Sequence, residues 1–118
     1  MNEHEQRIAI AEVCRWTDIS VWGAGGINGK HPTEPWGDFI PDYLNDLNAM
    51  HEAEKMLWGM DWSNRYAFND NLANILKGRT VNRNDWDAET LLDATAAQRA
   101  EAYLRTIGKW TEATSMKE

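Results

Sequence analysis

The chain has 118 residues, enough for one domain and too few for two comfortable ones. Its 12 basic and 19 acidic residues leave a net charge of -7, which repels a phosphate backbone and argues against nucleic acid as a partner. A mean hydropathy of -0.66 and no apolar run near the length of a bilayer span argue against a membrane helix.

Seven Trp residues and 42% apolar content can supply a core. The N-terminal MNEHEQRIAIAEV carries acidic residues and no apolar h-region, so it does not read as a secretory signal. The single Cys, Cys14, cannot form an internal disulfide and fits a reducing compartment, and the expected location is the cytoplasm.

In chain order, Ala9, Val13 and Trp16 fall on one arc of a helix predicted over Glu5 to Trp16, with Ile10 and Cys14 extending the arc. Cys14 is expected to be a buried hydrophobe, since no basic neighbour argues for a reactive thiolate. Ile19 to Trp22 alternates like a short strand. The following GAGGINGKHPTEPWGD is rich in glycine and without period, so residues 23–35 are predicted to be a flexible loop, with an extended piece near Trp36 to Ile40.

Pro41 and Asp42 are expected to open a second helix reaching Leu57, with Tyr43, Leu47, Met50 and Leu57 on one face. A break at Gly59 separates it from a third helix over Asp61 to Leu76. Trp62, Tyr66, Leu72, Ala73 and Leu76 would cover one side of that helix, with Phe68 and Ile75 widening the stripe, and Gly78 would end it. Arg79 to Asp87 reads as a polar loop, and Glu89 to Asp93 as either a strand or a helical turn. Thr95 and Gln98 have the spacing of a capping box, opening a final helix with Ala96, Ala100, Tyr103, Ile107 and Trp110 inward. The tail at 114–118 is expected to fray. This inventory defines a single α+β domain, mostly helical, of about four helices with a short two- or three-stranded antiparallel sheet and an ordered core over 5–113.

No catalytic constellation emerges. GGINGK lacks the first glycine and the Ser or Thr of a phosphate-binding loop, because those positions are Ala24 and His31. Cys14, His4, His31 and His51 have no metal-ligand spacing, and Ser20, Ser63 and Ser115 lie in no nucleophile elbow. No cofactor and no metal site are expected.

One polar residue is out of place. With Tyr43 at zero and about 100° per residue, Leu47, Met50 and Leu57 bracket Glu54 at about 20°, and His51 lies at about 80°. A carboxylate amid an apolar arc needs a partner or a groove. The candidates beside Glu54 are His51, Arg65 on the next helix and Arg99 on the last. The aromatic and acidic residues around the two long loops (Trp22, Trp36, Asp38, Asp42 and Trp86) are candidates for a protein interface.

The blocks PDYLNDLNAMHEAEKML and ATAAQRAEAYLRTIGKW, together with a first helix ending in Cys14-Arg15-Trp16, resemble the phage ABA sandwich domain family and its uncharacterised relatives. The resemblance implies a layered α/β domain encoded by a phage or prophage and working in the cytoplasm of the host cell. It implies no catalytic residue. A small acidic phage protein of this kind is expected to bind a host or phage protein, with inhibition of a host defence protein such as a CRISPR effector as one outcome. The competing readings are a small enzyme or ligand-binding protein, with its site between helix 42–57 and the loop Gly23–Ile40, and a structural or assembly component of a phage.

Overall fold

A computed structural model describes residues 1–21, 26–33, 37–78, 91 and 93–111. Among them are four helices, α1 (Glu3–Val13), α2 (Leu47–Met60), α3 (Ser63–Lys77) and α4 (Ala96–Thr106). Strands β1 (Thr17–Val21), β2 (Ile27–Lys30) and β3 (Gly37–Phe39) form an antiparallel sheet in that order. The domain is α+β.

Helix α1 starts earlier than its apolar arc. Asn2 and Glu5 exchange hydrogen bonds of 2.8 Å between side chain and backbone, a capping box that the apolar period does not register. It also ends earlier. Arg15 takes the left-handed conformation at φ 72°, Trp16 N–H reaches back to the Ala11 carbonyl and Arg15 N–H to that of Glu12. This is a Schellman ending with arginine where glycine is usual, which is why the arc reads on to Trp16.

The predicted loop over 23–35 contains the central strand. Ile27 and Gly29 face the core, and Ile27 is fully buried. A Cβ at Gly29 would lie 3.0 Å from Ile40 Cδ1 and 3.2 Å from the Thr17 carbonyl oxygen, so the glycine permits close packing of strand against strand. β1 runs from Thr17 rather than Ile19, and its register slips between Thr17 and Ser20, where Asp18 has φ 52°. Extended backbone at 37–39 is β3, paired to β2 through Asn28 and Phe39.

Asp42 does not cap α2. Its carbonyl instead receives the Asn45 and Asp46 amides in a turn that buries Tyr43 and Leu44, and Asp46 is the cap, accepting from Asn48 and Ala49 at 3.0 and 3.2 Å. Tyr43 therefore lies outside the helix, and Leu47, expected inward, is 40% exposed at the first turn. Nor does Gly59 break the chain: α2 runs through it, and the extended Asp61 makes the corner two residues later. On α3, Phe68, Leu72 and Ala73 are buried, but Trp62 and Tyr66 are 60% and 46% exposed, against expectation. Gly78 ends the helix in the left-handed conformation.

Helix α4 opens with the Thr95–Gln98 capping box and packs on α1, α2 and α3. Ala100 and Ala102 bring its backbone close to its neighbours, and Tyr103 and Leu104 are fully buried. It stops at Thr106, where Gly108 at φ 74° and the bond from Lys109 N–H to the Leu104 carbonyl form a second Schellman ending. Ile107 and Trp110 only partly bury beyond it. Thr95→Ala should lower stability by about 0.5–2 kcal/mol, read as the shift in urea midpoint at constant slope. An unchanged midpoint would mean the cap adds nothing.

Candidate functional site

Glu54 lies inward on α2, as its place on the apolar arc requires. Only 5% of it is exposed, and its Oε1 accepts from Arg99 Nη1 at 3.0 Å, while Arg99 is itself 7% exposed. Arg99 Nη2 also donates to the Leu91 carbonyl at 3.0 Å, tying α4 to the segment before it. His51 Nδ1 sits 3.7 Å from the same Oε1, too long for a good hydrogen bond, and its side chain is half exposed. Burial raises the Glu54 carboxyl above the ordinary range, and the charges of Arg99 and then His51 pull it back only in part.

The pairing is incomplete. Glu54 Oε2 and Arg99 Nε are buried, and neither makes a hydrogen bond. Both residues line a pocket of about 360 Å³ between α2, α3 and α4. Buried Phe68 and Leu72 with half-buried Trp58 and Leu91 form its walls, the Trp58 and Phe68 rings meeting edge to face at 5.1 Å. Arg65 and Asn69 stand towards solvent. Arg65, the third candidate partner, does not reach Glu54 as an ion pair. Its guanidinium instead lies over the exposed Trp62 ring, 5.4 Å from the centroid. Trp62, Arg65, Asn69 and Leu72 recur at helical spacing along α3, so the pocket edge and the exposed indole form one continuous surface.

Of the loop candidates, Trp22, Trp36 and Trp86 lie outside the described residues, as does the side chain of Asp38. Asp42 is half exposed. Asn45 Nδ2 donates to both its oxygens, at 3.2 and 3.1 Å, and Arg7 Nε stands 3.9 Å from Oδ1. Arg7 mainly donates to the Ile40 and Pro41 carbonyls, fixing the approach to α2 against α1. The Glu54 pocket opens between helices rather than against 23–40, where a groove beside helix 42–57 was expected. Trp62 was missed as a surface residue because its period places it with Leu72 and Leu76. Its position before the first turn of α3 turns it outward.

A second buried polar group sits under α1 and α4. The Cys14 thiol lies beside the Tyr43 and Tyr103 hydroxyls, and burial raises all three above their ordinary pKa values. Tyr103 Oη makes no hydrogen bond of good geometry, only a weak contact with the Cys14 thiol. Among the described residues, no group of three His, Cys, Asp or Glu side chains is placed to hold a metal ion, and no helix is long and apolar enough to cross a membrane.

The class these features define is a small α+β domain with a buried ion pair flooring a pocket and an exposed tryptophan at its edge. No known family, curated protein or solved structure matches the chain. The phage family resemblance therefore rests on its sequence blocks alone.

Proposed function

We propose that this protein is a non-catalytic binder that acts by covering the surface of a partner protein. The observation that carries this reading is Trp62, 60% exposed, with Arg65 stacked on its ring at the edge of the Glu54 pocket. Tryptophan and arginine dominate protein-binding hot spots. Both bury large area, and an adjoining pocket can receive a side chain from the partner. An indole this exposed adds little to the isolated fold, whereas it would supply the apolar centre of an interface. The negative charge of the whole chain favours a partner with a basic surface and speeds encounter with it.

The resemblance to a phage family directs the search to host proteins, defence effectors among them, and to other phage proteins. The tagged protein should capture a discrete partner from host lysate. Trp62→Ala should weaken that complex by about 2 kcal/mol or more, roughly thirtyfold, without moving the unfolding midpoint. Equal capture by wild type and variant would remove this surface from the function.

A further inference from the structure

We propose that the free edge of β1 takes a fourth strand from a partner protein, an extended segment with an apolar residue set between basic ones. Among the described residues the sheet ends at β1, which pairs with β2 alone. Ile40 N–H bonds the Ile27 carbonyl, so Ile27 turns its main chain towards β3 and Asn28 turns its own towards β1. Ser20, opposite Asn28, answers it. Ile19 and Val21, on either side of Ser20, therefore point their N–H and carbonyl groups outward. Among the described residues those outward groups meet no partner. The slip in register beside Asp18 confines further pairing to this stretch.

So short an edge needs side-chain contacts as well, and a groove lies beside it. Ile19 is on the core face of the sheet, its Cγ1 3.3 Å from where a Cβ on Gly29 would stand. Val21 shares that face, opposite the buried Ile27, yet is 51% exposed. A groove of about 400 Å³ separates this face from α1, with Ile8, Trp16 and Ile19 as its apolar walls. A strand laid about 4.8 Å beyond β1 sends alternate side chains over Ile19 and Val21 and into the groove against Ile8. An aliphatic residue suits that place.

Charge names the partner. Glu12, one turn after Ile8 on α1, and Asp18 also line the groove. Both are exposed, and neither carboxylate has an ion pair or hydrogen bond among the described residues. Arg or Lys flanking the aliphatic residue would complement them, in keeping with the net charge of -7. A second copy of this chain would set the same carboxylates against each other, and like charges facing across strands destabilise the pairing. The groove shares no residue with the Trp62 surface, so either contact can be lost without the other.

The test is an NMR titration of the full chain with the acetylated, amidated peptide Thr-Arg-Thr-Val-Thr-Arg-Thr, whose Val and two Arg fall on one face of a strand. Without peptide, the Ile19 and Val21 amides should exchange rapidly with solvent. With it they should shift to saturation and become protected. Two further peptides carry N-methyl groups, one on its Thr amides and the other on its Arg and Val amides. One should fail to bind and the other should bind, because an added strand turns only alternate amides to the edge. Exchanging both Arg for Glu should weaken binding about tenfold or more, as two exposed pairs pass from attraction to repulsion. A Glu12→Gln/Asp18→Asn variant should lose most of that preference. It should keep the wild-type unfolding midpoint, because both side chains are exposed and Asn tolerates the left-handed backbone at φ 52°. Protection of Ile19 and Val21 before any peptide is added would overturn the proposal, since this chain or a second copy would already cover the edge. So would unmoved Ile19 and Val21 amides, binding that survives both methylations, or equal binding of the Arg and Glu peptides.

Discussion

Arg99→Met should destabilise the domain by about 3–5 kcal/mol, because it leaves the Glu54 carboxylate buried without its counter-charge. Both partners are more than nine-tenths buried, so solvent offers little relief. The same change also removes the donor to the Leu91 carbonyl. Removing both charges should be far milder. A Glu54→Leu/Arg99→Met double variant should recover most of the loss, since an apolar pair of similar volume replaces a desolvated ion pair at little net cost. The deficit of Arg99→Met should also depend on pH. A buried acid whose folded pKa is raised favours the fold below its unfolded value, near about 4.3, and loses that contribution as pH rises through the folded value. The single variant should therefore be weakest at neutral pH and approach wild type towards acid pH. Urea unfolding at pH 5 and pH 7 measures this. A pH-independent deficit would mean that lost packing, not the stranded charge, is responsible.

The place of Glu54 was readable because helical period is a strong signal and a carboxylate at its centre has few explanations. Its partner was not unique in the sequence. Arg65 and Arg99 have the same side chain, and only the packing of α4 across α2 and α3 selects Arg99. The last helix was equally legible at its start, where Thr95 and Gln98 have the spacing of a cap. Its end was less so, because Trp110 continues the apolar stripe after the backbone has turned at Gly108. Two features defeat pattern reading for physical reasons. The INGK strand is short and holds a glycine that composition assigns to a loop, yet that glycine is what lets Ile40 and the Thr17 carbonyl approach. At Arg15, a left-handed turn on a residue that rarely adopts it ends α1, and no residue preference announces it. Asp42 and Asp46 are both good caps four residues apart. The choice falls on Asp46 because Tyr43 and Leu44 must turn inward first.

Raising the pH above 9 should weaken the fold steeply, and the slope should come from the group beneath α1 and α4. Cys14, Tyr43 and Tyr103 are buried as neutral acids, each raised first by loss of hydration. For both tyrosines, the nearby thiol adds to that shift. For such groups the stabilising contribution is fully present below the unfolded pKa, about 8.5 for Cys and about 10 for Tyr, and is lost as pH rises towards the folded value. Each group removes about 1.4 kcal/mol per pH unit across its window, so by pH 11 the two tyrosines alone remove about 3 kcal/mol. That is a large share of the stability of a small domain. Tyr103→Phe isolates one contribution. Because Tyr103 Oη has no partner beyond a weak contact with the Cys14 thiol, the variant should come close to wild-type stability at pH 7 or exceed it. It should also lose stability more slowly between pH 10 and pH 11, by about 1 kcal/mol over that unit. Urea midpoints measured from pH 7 to 11 on both proteins decide the matter. Parallel profiles would show that Tyr103 ionises as readily in the folded protein as in the unfolded chain, and a variant markedly weaker at pH 7 would show that its hydroxyl is bonded after all.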